Sequence, residues 1–201
     1  MSVARRHARG WLPLLLLCPA LAWAHGSLPG ANVFINGFLH PYLAPAHAIS
    51  LFALALLVGG QTQQNKGLSI ISLTCGLVAG AALAAVLGDP NTDALLLTLA
   101  LVCSLMVAFQ WEGSRWWISC VALALGIAVA LGSGDPAISG VQRLSLLGGG
   151  CIGALVLVAQ IAFFVDELVV RRRLHPVRIA VRIVSSWVSA ITLLLLAMTV
   201  R

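Results

Sequence analysis

The apolar residues of this chain fall in successive runs of about 20, the length that an α-helix needs to cross the hydrocarbon core of a bilayer. Hydrophobic residues make up 60% of the 201 residues and charged residues only 9%. An ordinary soluble domain has about 25% charged residues. Because a backbone inside lipid must satisfy its hydrogen bonds within its own segment, helices are the expected element. The sequence therefore predicts an all-α, polytopic transmembrane bundle and excludes a water-soluble fold.

The N-terminal segment has the pattern of an export signal. The first ten residues carry three arginines, an apolar stretch follows, and Ala22 and Ala24 supply the small residues of a cleavage site. We therefore expect residues 1–24 to be a cleaved signal peptide, with His25 as the new N-terminus. Residues 25–201 are then a single transmembrane domain. An uncleaved signal anchor is the alternative interpretation.

Turn residues between the apolar runs divide the mature chain into about six helices. Pro41 and Pro45 lie early in the first of them, where proline removes backbone donors, so we expect the stretch before Ala46 to be irregular or a broken half-helix. The predicted helices are 37–60, 67–87, 94–110, 115–132, 144–165 and 179–200. Small residues within these helices, such as Gly76, Gly80 and the glycines at 148–150 and 153, predict close helix packing.

Lysine and arginine residues predict how the bundle is oriented. With the mature N-terminus outside, seven of them fall in cytoplasmic loops and two outside, as the positive-inside rule requires. The seven are Lys66, Arg115, Arg171, Arg172, Arg173, Arg178 and Arg182, and the two are Arg143 and Arg201. The sequence thus predicts a multi-pass protein of the bacterial inner membrane with both mature ends in the periplasm.

One stretch at the predicted exterior end carries chemistry beyond membrane packing. It contains His25, His40 and His47, three of the five histidines in the chain. Imidazole is a suitable ligand for nickel, cobalt, copper or zinc. On a straight helix the Cα atoms of His40 and His47 would be about 10.5 Å apart, which is stretched for joint chelation, so a break at the prolines would bring the rings closer. We predict a metal site formed by these three histidines; hydrogen bonding near the lipid headgroups is the alternative.

The segment 37–47, GFLHPYLAPAH, resembles the signature H-P-x-x-G-x-D-H of the HupE/UreJ family. His40, Pro41 and His47 match that signature, and His25-Gly26 after the signal is similar to the family's pattern. Family members are exported membrane proteins of six to seven helices that are associated with nickel supply to hydrogenase or urease, some with cobalt. The resemblance implies a metal permease whose signature residues bind the ion.

Two positions depart from the signature, since Ala44 and Ala46 replace its glycine and its aspartate. Ala46 supplies neither an oxygen ligand nor a carboxylate that would orient a ligating histidine. Four outcomes stay open: weaker metal binding, a preference for a softer ion such as copper, completion of the site by His25, or loss of transport.

The leading functional hypothesis is therefore a permease for nickel or a related divalent ion such as cobalt, copper or zinc. The alternative is a non-transporting accessory or assembly subunit for another membrane protein or metalloprotein. The predicted partners are the lipid bilayer, the metal ion, and a membrane-protein partner or a second copy of the chain, with no nucleic acid.

Enzyme activity is not expected, because no nucleophile triad, H-E-x-x-H helix or cofactor fingerprint is present. Asp166 and Glu167 are interpreted as acids solvated at a helix end. The arginines at 171–173 are interpreted as an anchor in the headgroup region.

Overall fold

A computed structural model of the protein describes residues 32–61, 63–88, 90–111, 113–135 and 137–199. The predicted signal peptide and His25 lie outside these residues. Over the described residues the chain is helical and contains no strand, which confirms the all-α prediction. The helices are α1 (Val33–Leu43), α2 (Pro45–Gly59), α3 (Gln63–Leu87), α4 (Asp93–Ala108), α5 (Arg115–Leu131), α6 (Gly140–Val165), a π-helical segment (Asp166–Arg171) and α7 (His175–Thr199).

Three helices are long and apolar enough to cross a membrane, and a fourth span results if α1 and α2 are counted as one bent segment. The three are α3, α6 with its π-helical extension, and α7. Helices α4 and α5 are apolar but have 16 and 17 residues. At 1.5 Å per residue they measure about 24–26 Å, less than the hydrocarbon core of about 30 Å. By length and composition the protein is a helical membrane protein, and its described residues contain three or four helices long enough for a complete span.

The first span is broken where the prolines predict it. Helix α1 ends at Leu43, Ala44 has an extended backbone, and Pro45 occupies the first turn of α2. Proline suits that position because the amide hydrogen it lacks would have no helical partner there. The axes of α1 and α2 differ by 69°. The expected broken half-helix is therefore confirmed.

Several of the predicted glycines set the closest helix contacts, but Gly148 and Gly150 do not, because a Cβ on either would meet open space or only ordinary contacts. A Cβ atom added to Gly37, Gly149 or Gly153 would overlap the backbone of the facing helix, so α1 lies directly on α6. Gly76 and Gly126 make the same kind of contact between α3 and α5. Small residues allow such backbone approach in membranes, where apolar area alone gives little preference for helix over lipid. These contacts fix where α1 lies on the bundle.

Helix α2 is the centre of the bundle. It packs against α4 and α6, and nearly all of its residues after the first turn are buried. Large apolar residues on the outer faces of the long helices are exposed, as expected for contact with lipid: Val78, Val86, Phe163, Trp187 and Leu194 are examples. Helix α2 thus connects the two ends of the molecule through its core.

Most of the described basic residues gather at one end of the bundle. Arg115, Arg178 and Arg182 line one cavity there, and Lys66 lies at the start of α3 on the same side. Arg143 lies at the opposite end, where it donates to the carbonyl oxygen of Ala84 at 2.8 Å. We call the first of these the basic end and the second, which contains the break between α1 and α2, the histidine end.

Candidate functional site

The break between α1 and α2 brings His40 and His47 together. His40 is in the last turn of α1, His47 is in the first turn of α2, and their ring centroids are 4.9 Å apart with the ring planes at 73°. Two imidazoles that share a tetrahedral metal ion at about 2.0–2.1 Å have their centroids about 5 Å apart. The bend therefore gives the pair a spacing suited to joint chelation, which a straight helix would not.

A backbone carbonyl fixes the orientation of the His47 ring. Nε2 of His47 lies 3.3 Å from the carbonyl oxygen of Val129 in α5. A carbonyl only accepts, so Nε2 carries the hydrogen and Nδ1 carries the lone pair. The side chain is only 3% exposed, and Nδ1 has no hydrogen-bond partner among the described residues. A histidine held by one ring nitrogen with the other left as a lone pair is the usual arrangement of a metal ligand.

Other polar groups around His47 come from distant parts of the chain. Thr92, before α4, donates to a carbonyl in the last turn of α5 at 2.9 Å, and Ser133 donates to the Val129 carbonyl at 2.6 Å. A Cβ added to Gly132 would overlap the Thr92 hydroxyl and lie 3.4 Å from Cε1 of His47. No sequence pattern identified these residues as neighbours of His47. Their contacts depend on the packing of α2 against α4 and α5, which periodicity does not reveal.

The predicted third ligand is not part of the described site, because His25 lies outside the described residues. Within the described part of the chain, no group of three or more His, Cys, Asp or Glu residues is arranged to hold a metal ion. Ala46 packs partly buried against the core and offers no oxygen. The described site therefore supplies two imidazole nitrogens.

Asp166 corrects one interpretation made from the sequence. It is buried and pairs with the buried Lys66, and its second carboxylate oxygen accepts from Nε of Arg171 at 3.0 Å. The reason is that α6 continues as a π-helical segment from Asp166, which keeps this residue inside the bundle against α3 instead of in solvent. Glu167 is nearer to the expectation, since it is partly exposed and pairs with Arg172 at 2.9 Å.

The sequence does contain a signal that Asp166 needs a partner. Asp166 directly follows the 26 residues of α6, and an ionisable residue at the edge of a long apolar segment is costly unless it is paired. Nothing in the sequence identifies Lys66 as the partner, because 100 positions separate the two residues.

No protein-family model, curated protein or solved structure matches the chain. Two features of the chain's own residues therefore indicate its function: the imidazole pair with the Val129 carbonyl at one end of α2, and the charged groups at the other.

Proposed function

We propose that the protein is a membrane permease for a divalent transition metal ion, in which His40 and His47 capture the ion at the histidine end. The observation that supports this most is the His47 ring, whose Nε2 is engaged by the Val129 carbonyl while its buried Nδ1 has no partner among the described residues. Imidazole nitrogen favours nickel, cobalt, copper or zinc. The likeness of segment 37–47 to the HupE/UreJ signature favours nickel or cobalt within that set.

A two-imidazole site suits transport better than storage. Structural metal sites use four protein ligands and hold the ion closed from solvent, whereas conduction requires binding weak enough for release. Water completes the coordination in our proposal, or His25 does so after cleavage of the signal, through its ring and its α-amine. Because position 46 is alanine, no neighbouring carboxylate compensates the charge of the ion, and the affinity of the site is lower still.

The same proposal places the protein in the bacterial inner membrane, with the histidine end in the periplasm and the basic end in the cytoplasm. The separation of Arg115, Arg178 and Arg182 from the histidines supports this orientation, since basic residues are retained on the cytoplasmic side. Both mature ends are then periplasmic.

Metal accumulation in cells tests the proposal. Cells that express the protein should accumulate nickel or cobalt above the level of cells without it, and His40→Ala or His47→Ala should remove most of that difference. His175→Ala is the matched control, because His175 lies at the start of α7 at the basic end and is exposed. Accumulation that is unchanged in both site variants, at equal protein levels, would count decisively against the site.

A second candidate function is a non-transporting accessory subunit for another membrane protein or metalloprotein. The specific observation in its favour is that the described residues contain no group of three metal-ligating side chains. Purification from membranes separates the two hypotheses. An accessory subunit would retain a stoichiometric protein partner and contain no metal, whereas a permease would bind added nickel or cobalt without a partner.

A further inference from the structure

The basic end contains a cavity of about 610 Å³ between the ends of α2 and α4 and the starts of α5 and α7. Its mouth carries three arginines, Arg115, Arg178 and Arg182, and none of its described lining residues is acidic. Two described acids close to the lining in sequence are engaged elsewhere, Asp166 by Lys66 and Arg171, and Glu167 by Arg172. The cavity therefore gathers positive charge that the described residues do not balance.

Two of the arginines face the cavity from one helix. Arg178 and Arg182 are four residues apart on α7 and thus share a face, where like charges repel each other. Arg182 donates through Nε to the carbonyl oxygen of Ala108 at 3.2 Å. Arg178 donates to the amide oxygen of Gln110 from Nε at 2.9 Å and from Nη2 at 3.1 Å when that amide is oriented with its oxygen toward the guanidinium. A guanidinium has five N–H donors, so these contacts leave most of them for an acceptor in the cavity.

A buried donor in the cavity wall points to the same kind of ligand. Gln61 lines the cavity and is only 9% exposed. Its Oε1 accepts from the Ser69 hydroxyl at 3.1 Å, whereas its Nε2 has no hydrogen-bond partner among the described residues. A buried donor without an acceptor is costly, and an anion in the cavity would satisfy it.

We infer that this cavity binds a phosphate group, held by Arg178, Arg182 and Arg115 and by the amide of Gln61. Arginine is the residue best suited to phosphate, because its planar donors match two phosphate oxygens at once. The remaining wall is apolar, with Leu56, Met106 and Ile118, so the ligand has an apolar part next to its phosphate. An anionic phospholipid and a small soluble phosphate compound share this chemistry.

Binding to the purified full chain in neutral detergent tests the inference. The probes are phosphatidylglycerol, phosphatidylcholine as the zwitterionic control, and inorganic phosphate, with affinity measured by thermal shift and by native mass spectrometry. Retention of phosphatidylglycerol over phosphatidylcholine supports a lipid source. Binding of inorganic phosphate that competes with phosphatidylglycerol supports a soluble source. Failure of every phosphate probe to bind above phosphatidylcholine overturns the inference.

Substitutions of the cavity arginines test whether the phosphate probe binds in this cavity. Arg178→Gln and Arg182→Gln should each lower the affinity by about tenfold or more, because each removes charge-assisted hydrogen bonds. Arg173→Gln is the matched control, since it removes the same charge at the same end outside the cavity lining. An equal loss in Arg173→Gln would show that general surface charge holds the probe and would overturn the site.

Gln61→Glu is the most selective variant. It keeps an oxygen that accepts from Ser69 but replaces the buried donor by a negative oxygen, so phosphate binding should be lost while the protein stays folded. Glu112 follows Trp111 in the sequence and lies outside the described residues, and Glu112→Gln tests whether its carboxylate affects phosphate binding. Binding that appears only in Glu112→Gln would mean that the protein's own carboxylate occupies the cavity, and would overturn the inference.

Discussion

The two ends of the bundle satisfy their buried polar groups in different ways, one by hydrogen bonds to backbone carbonyls and the other by ion pairs. At the histidine end, Nε2 of the buried His47 contacts the carbonyl oxygen of Val129, and the hydroxyl groups of Thr92 and Ser133 donate to carbonyls of the same helix end. At the basic end, Lys66 and Asp166 are both buried, and their opposite charges compensate each other. Helix α2 runs between the two. In our proposals the imidazole lone pairs at one end bind a cation, whereas the surplus positive charge of the described residues at the other end binds an anion.

The largest effect should come from breaking the buried ion pair at the basic end. Asp166→Ala leaves Lys66 buried without its counter-charge, and we expect a loss of about 3–5 kcal/mol in the free energy of unfolding. Unfolding in detergent measures it. The double variant Lys66→Met with Asp166→Leu should recover most of this loss, because apolar side chains replace both charges. A cost below about 1 kcal/mol for the single variant would show that the pair is solvated.

Two adjacent glycines test how α1 is held at the histidine end. Gly149→Ala should destabilise the protein by about 1–3 kcal/mol, because its Cβ would overlap the backbone of α1 at Phe34. Gly148→Ala is the control, since a Cβ there meets nothing within 4 Å. Alanine at that position should be neutral or stabilise the helix by up to about 1 kcal/mol. Equal unfolding free energies for the two variants would contradict the close packing of α1 on α6.

Gly132→Ala tests the orientation of the His47 ring without touching either histidine. The new Cβ would displace Thr92 and press on the imidazole, so metal affinity should fall about tenfold, as for other changes to groups that orient a ligand. Isothermal titration with nickel or cobalt measures the affinity. Gly60→Ala at the basic end makes only ordinary contacts and serves as the control. A larger loss in the control would argue against a local effect at His47.

The smallest effect should be at the contact between α4 and α7, which lies outside both sites. Ser189 donates to Ser104 at 2.8 Å in a buried position. Interhelical hydrogen bonds in membrane proteins average about 0.6 kcal/mol. A double-mutant cycle with Ser104→Ala and Ser189→Ala should give a coupling energy near that value. A coupling of several kcal/mol would mean that the middle of the bundle is held as strongly as the basic end.

The sequence predicts local features of this fold well and long-range pairings poorly. Pro41 and Pro45 predict the break in the first span because proline acts on its own backbone. The glycines of α6 predict a close contact for the same local reason. The partner of Asp166 and the carbonyl that orients His47 could not be predicted, because 100 and 82 positions separate the members of each pair. Only helix packing brings them together.

The proposed metal site shows the same difference between local and long-range features. The sequence supplies His40 and His47 and the reason for a bend between them, but not the angle of the bend or the 4.9 Å between the rings. The continuation of α6 into the π-helical segment is a further feature without a local signal, and it turned a predicted solvated acid into a buried one.

X-ray absorption spectroscopy of the nickel- or cobalt-loaded protein tests whether His40 and His47 bind the metal, because it counts the imidazole ligands. We expect His40→Ala and His47→Ala each to remove one imidazole from the coordination sphere, whereas His175→Ala removes none. A spectrum that is the same in His47→Ala as in the wild-type protein would contradict this expectation.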